Sequence, residues 1–238
     1  MRASDGHHLT AYRPAGDVLI DGYVRDLGRR LHGPAHAKRD LLTEVRDGLT
    51  DAVEGYREGG LPPDRAEELA MAEFGPTGRL AAEFQAELAA FSVRTLAVRI
   101  ALVTGGLIFS ANLMWQGAPW TGPRPPATYL MLSSGIEWLG AGCAALALVS
   151  LAWLTVTARR GRPVPVRQTR LAAHGLTGSL ALHWLGGLAL YGWSVHLWTA
   201  ALTWPPMIIG MVLLCVAYGW LGTAARRCLA AARPPAGA

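Results

Sequence analysis

Glu137 is the only acidic residue after Glu87, and it stands about two turns inside an apolar run that extends from Tyr129 to Thr157. A carboxylate in such a run is costly unless it is paired, neutral or hydrated, so it marks a candidate functional site. His183 falls near the middle of a later run, Leu171 to Trp193. If the two runs point in opposite directions, a rise of about 1.5 Å per residue brings these residues to similar depths. Glu137 and His183, joined by Asn112 or Tyr191, then form a polar pair able to sense pH, a lipid headgroup or a small ligand. In the plainer reading, a protonated Glu137 bonds a neighbouring helix or faces interfacial water, and His183 is an ordinary satisfied polar group.

Other chemistry finds less support. Among His174, His183 and His196, His174 falls near the inner face and His196 outside, so they cannot share a metal centre, and His7-His8 lies in an unpatterned stretch with only the distant His32 and His36 as further donors. Cys143, Cys215 and Cys228 lack metal-site spacing and imply no disulfide framework. A Walker-type loop, a G-x-S-x-G elbow and an H-E-x-x-H helix are all absent. An enzyme would need a nucleophile or metal beside Glu137, and the sequence offers only histidines and scattered hydroxyls. The expectation is a non-enzymatic protein with no catalytic residue, metal or cofactor. A separate candidate is the acidic edge Glu44, Asp47, Asp51, Glu54 and Glu58, whose spacing of three and four places it on one side of a helix. It reads equally as a docking face for a basic partner or as a solvated face.

The elements that must position these residues divide the chain in two. Sixteen of the 17 acidic residues precede Ser92, against eleven of the 22 Lys and Arg, so the formal net charge of +5 averages an acidic segment and a basic one. The basic residues flank apolar runs, where they orient membrane helices, so direct nucleic-acid binding is not expected. No apolar stretch long enough for a signal peptide precedes Ser92, which leaves the N-terminal segment in the cytoplasm.

Within that segment, residues 1–16 show no periodicity and read as a disordered lead-in. Ile20, Tyr23, Val24, Leu27 and Leu31 then mark one face of a first helix. Leu41, Leu42, Val45, Leu49, Ala52, Val53 and Tyr56 mark a second, from Pro34 to Gly59-Gly60. Gly48 inside it signals close packing against a neighbour, or else a slight bend. Pro62-Pro63 opens a third helix that Gly75-Pro76 ends. A fourth stripe, Leu80, Ala81, Phe84, Leu88 and Phe91, leads without a breaker into the first membrane run, predicting one continuous helix.

The order LIDGYVRDLGRRL, then LLTEVRDGLTDAVEGYREGGLPPDRAEELAMAEFG and LAAEF, resembles the bacterial helical module called the HAAS or permease-prefix domain. The likeness covers roughly Asp17 to Leu88 and is most specific at Ala70, Glu73, Phe74 and Gly75. Pro62 departs from it, standing where such modules usually carry a Ser or Thr cap. The resemblance implies a cytoplasmic adaptor fused to membrane helices, often encoded beside PadR-type transcriptional regulators and also found ahead of transporter permease domains.

Four apolar runs follow, about 96–115, 129–157, 171–193 and 204–223, each long enough to cross hydrocarbon. Arginines cluster before the first, between the second and third, and after the fourth, while the other two loops hold only Arg124. By the positive-inside rule both termini are cytoplasmic, and 117–128 and 194–203 face outward, with tryptophans near the outer boundary as anchors.

The sequence is therefore read as all-α: a helical cytoplasmic HAAS-like domain over 17–91, a four-helix transmembrane bundle over 92–223 and a basic cytoplasmic tail over 224–238. The expected function is a multi-pass sensor or adaptor of the bacterial cell membrane, a homo- or hetero-oligomer whose cytoplasmic module binds a partner such as a PadR-type regulator. Glu44, Asp47, Asp51 and Glu54 would make that contact. The alternative is an accessory or remnant subunit of a membrane transporter.

Overall fold

The structure is a computed structural model that describes residues 15–115, 124–161, 164–198 and 202–233, leaving aside the side chains of 15–17 and 108–115. Among the described residues there are seven helices and no strand: α1 Ala15–Arg30, α2 Ala35–Glu58, α3 Pro63–Phe74, α4 Thr77–Trp115, α5 Ala127–Arg159, α6 Val166–Leu197 and α7 Pro205–Ala231. They group into two compact units. Of the described residues, the first holds those up to Leu31 with Ala35–Phe84, and the second holds His32–Pro34 with those from Gln85 onward. Most of the expected lead-in lies outside the described residues.

In the first unit α2 packs on α1 and on α3. Its apolar stripes close over one another, burying Ile20, Val24 and Leu27 of α1, Val45, Leu49 and Val53 of α2, and Ala66 and Ala70 of α3. Gly48 lies where a Cβ would stand 3.2 Å from the Phe74 ring, so α2 and α3 owe their close approach to its missing side chain. Gly60 and Gly75 hold positive φ, 88° and 79°, a conformation that only glycine adopts cheaply, and they end α2 and α3. At the start of α3, Pro62 offers no side-chain cap, as its residue type requires. Two long-range bonds complete the unit. Tyr23 donates its hydroxyl to the Gly75 carbonyl at 2.8 Å, and Thr77 donates to Asp26 at 2.6 Å.

In the second unit α5 packs on α6 and α6 on α7. Val93, Leu96 and Ile100 of α4 share a buried cluster with Ala147 and Leu154 of α5, Leu176 of α6, and Leu221 and Cys228 of α7. Much of its exposed surface is apolar, with Trp138 77% and Met131 72% exposed and Leu102, Val149, Leu171, Leu185 and Val216 also on the outside. Among the described residues, three helices are long and apolar enough to cross a membrane: the Thr77–Leu107 part of α4, and α5 and α7 in full. α6 has the length, 32 residues, but His183, Trp184, Tyr191, Trp193 and several Gly and Ser residues dilute its apolar character. An apolar exterior of this kind contacts a bilayer.

Helix ends differ from the sequence expectation in the second unit. α6 continues to Leu197, so Ser194 is helical and buried and not in a loop. α7 continues to Ala231, so most of the described part of the expected basic tail is helix. The extension is stabilised because the Gln85 amide donates to the Ala231 carbonyl at 2.6 Å and Arg170 Nε donates to the Ala232 carbonyl at 2.8 Å. These bonds satisfy acceptors that a helix C-terminus leaves open.

Candidate functional site

The second unit has a partly open cavity of about 270 Å³ whose lining comes mainly from α5, α6 and α7. Its walls are Leu, Ile, Met and Gly, and two hydrogen-bonded polar pairs interrupt them. The first pair joins α6 to α7: His183 Nδ1 lies 2.5 Å from the Tyr218 hydroxyl. Trp184, next along α6, stacks on the Tyr218 ring with centroids 4.9 Å apart. Gly140 of α5 makes room for the imidazole, since a Cβ there would stand 3.1 Å from His183 Nε2.

The second pair joins α5 to α6. Tyr129 and Ser194 hydroxyls lie 2.8 Å apart, and Ser194 spends its own proton on the Leu190 carbonyl at 2.8 Å. Tyr129 is therefore the donor between them. Trp193 and Trp198 meet the Tyr129 ring edge-on at 5.9 and 5.5 Å, fixing its rotamer. His183 and Ser194 stand eleven positions apart on α6, about 16 Å along the helix axis. A long apolar slot with hydrogen-bonding groups at two levels can hold an uncharged amphipathic molecule.

The expected polar pair is corrected by this geometry. Glu137 is exposed and has no hydrogen bond or ion pair among the described residues. His183 pairs with Tyr218 instead. The reason is helix rotation: Ile136 and Gly140 of α5 face α6, against Gly186 and His183, and Glu137 follows Ile136 by about 100° of turn. Tyr191 does line the cavity. Asn112 belongs to α4, but its side chain lies outside the described residues. His174 is exposed, its ring nitrogen bonded to the Arg170 carbonyl at 2.7 Å, and His196 is also exposed. No group of three metal-ligating side chains occurs among the described residues.

Tyr218, Tyr129, Ser194 and Gly140 are site residues that the sequence reading passed over. A signal for one of them existed, since Tyr129 is a polar group in an apolar run, as Glu137 and His183 are, whereas Ser194 follows the third run and reads as loop.

The acidic edge belongs to the first unit. Glu44, Asp47, Asp51 and Glu54 are all exposed along α2, and none forms an ion pair or hydrogen bond among the described residues. Other carboxylates of the unit are paired, among them Asp21 with Arg46 at 2.6 Å and Asp26 with Arg30 at 2.9 Å. Hydrogen bonds from Thr77 and Arg30 hold the Asp26 carboxyl below the usual carboxylate range. Burial pushes the Tyr23 phenol up, against a smaller opposing effect of Arg79.

No family model, curated protein or solved structure matches the chain. The permease-prefix resemblance thus stands on the residues quoted for it.

Proposed function

We propose that this chain is a non-enzymatic sensor and adaptor of the bacterial cell membrane. In this reading α4, α5, α6 and α7 all span the bilayer as one four-helix bundle, both termini are cytoplasmic, and the first unit is a HAAS-like module that binds a partner such as a PadR-type regulator. The observation that carries it is the row of exposed carboxylates on α2, Glu44, Asp47, Asp51 and Glu54, none of which forms an ion pair or hydrogen bond among the described residues. A solvated row of like charge with no internal partner repels itself, and a basic partner relieves that repulsion. The lined cavity between α5, α6 and α7 supports the sensing half of the reading.

The test is a crosslinked pull-down of the full chain from its native membrane, beside a form with Glu44, Asp47, Asp51 and Glu54 reversed to Lys. Capture of a soluble regulator by the native form, lost on reversal, is expected. Capture of membrane transport subunits alone, unchanged by reversal, would overturn the reading.

That second outcome would favour the transporter-subunit alternative, which one observation supports. An open apolar groove of about 800 Å³ runs between α4 and α7, lined by Val103, Gly106, Ile209, Gly210, Leu213 and Trp220. Its glycines leave the backbone approachable, as at contacts between membrane helices.

A further inference from the structure

The first unit is acidic overall, yet between α1 and α2 it holds a concavity of about 520 Å³ with the opposite charge. Arg25, Arg29, Lys38 and Arg46 line it against the single carboxylate of Asp21. Arg46 is committed to Asp21 at 2.6 Å, and Lys38 Nζ donates to the Leu31 carbonyl at 3.0 Å. Arg25 is exposed with no ion pair among the described residues, and Arg29 reaches Asp26 only at 3.4 Å. The floor is apolar, made by Val24 and Leu42, and Gly28 opens it because a Cβ there would stand 3.2 Å from Leu42.

We propose that this cradle receives the acidic ridge of α2, Glu44, Asp47, Asp51 and Glu54, from a second copy of the chain. The charges are complementary, and both partners are present in one sequence. Their lengths also agree. Glu44 to Glu54 spans about 15 Å of helix, and Lys38 to Arg46 spans about 12 Å along the cradle wall. Ridge and cradle occupy different sides of α2, so one copy can give its ridge and receive another at the same time. Each exposed pair contributes little alone, about 0.2–1 kcal/mol, so the contact depends on several pairs and on confinement of the copies to one membrane. The inference stands apart from the adaptor reading. Where both hold, self-association and capture of a basic partner compete for the same ridge.

The sequence supplies an unusually selective probe, because Lys38 is the only lysine in the chain. A zero-length carbodiimide reagent joins a carboxylate to an amine, and besides the N-terminus the only amine is in the cradle. Full-length protein would be reconstituted in lipid vesicles as an equal mixture of ¹⁴N and ¹⁵N copies, with no other protein present. The expected result is a mixed-isotope peptide joining Lys38 to Glu44, Asp47, Asp51 or Glu54, weakened by high salt. Lys38→Arg keeps the charge and removes the amine, so it should abolish the product.

Two charge reversals, Arg25→Glu with Arg29→Glu and Asp47→Arg with Asp51→Arg, should each cut the crosslink at least about tenfold, a loss of about 1.4 kcal/mol. Mixing the two reversed forms should restore it, since the intact ridge of one then meets the intact cradle of the other. Should a reversed form lose helix content, Arg25→Gln with Arg29→Gln gives the same comparison with a milder change. Absence of the mixed-isotope product in the native protein, or reversed forms that crosslink as the native does, would overturn the proposal. So would failure of the mixture to recover.

Discussion

The two units use the same element, the helix, with opposite distributions of polarity. In the first, apolar side chains such as Leu27 and Leu49 are buried and charged residues cover the outside. In the second, the outside is Leu, Val, Met and Trp, while hydroxyls, an imidazole and glycines are found between the helices. Water drives the first arrangement by expelling apolar surface. Lipid removes that drive, so helices there associate through close packing of small residues and a few hydrogen bonds. Truncating an apolar side chain typical of each unit should therefore have different consequences, since such side chains are buried in the first and outward-facing in the second.

The largest difference should come from truncating an apolar side chain. Leu49 is fully buried in the first unit, so Leu49→Ala should cost about 2–5 kcal/mol. Val149 is 65% exposed in the second unit, and Val149→Ala should change stability by less than about 0.5 kcal/mol. Proteolysis of the first unit under increasing urea and thermal aggregation of the whole chain would measure the two. Equal losses would remove the contrast.

An added side chain should act next most strongly. Gly140→Leu must displace the His183 ring, and overpacking of this kind costs about 1–3 kcal/mol. It should also separate His183 from Tyr218, visible as a change in the imidazole resonances. Tyr218→Phe removes only the hydrogen bond and should cost about 0.6 kcal/mol, the usual scale between membrane helices. If Tyr218→Phe proved the costlier of the two, the packing account of α5 against α6 would be wrong.

The smallest effect is electrostatic and confined to the first unit. Asp26 has a depressed carboxyl pKa in the folded state because Thr77 and Arg30 bond its charged form. Its stabilisation is thus fully present above the ordinary carboxylate pKa and is lost as pH falls through that value toward the folded one. Asp26→Asn should flatten this part of the acid profile of the first unit, read by hydrogen exchange at α1, and leave the second unit unchanged.

Much of the first unit was legible in the sequence because water imposes contrast. The stripes Val45, Leu49, Val53 and Ile20, Val24, Leu27 name their buried faces directly, and Gly48 marked its contact with Phe74. The second unit was legible in length and far less in rotation. A helix apolar on nearly every side has no polar face to set its inward side, so no hydropathy stripe said that Ile136 turns inward and Glu137 outward. Small residues carried the missing information: Gly140, Cys143 and Ala147 mark the packed face of α5 at spacings of three and four. Tyr218 escaped notice because an isolated tyrosine in an apolar run reads as one more large side chain until His183 is placed beside it.

The contrast requires that the second unit lie in the bilayer with α6 crossing it, which would put Glu54 and Thr203 on opposite sides. Single cysteines at Glu54, Gly161 and Thr203, in a background with Cys143, Cys215 and Cys228 replaced, would be treated with a membrane-impermeant maleimide on intact cells. The account predicts labelling at Thr203 from outside and labelling at Glu54 and Gly161 only after permeabilisation. Labelling of Thr203 only after permeabilisation, together with Glu54, would mean that α6 does not cross and would contradict it.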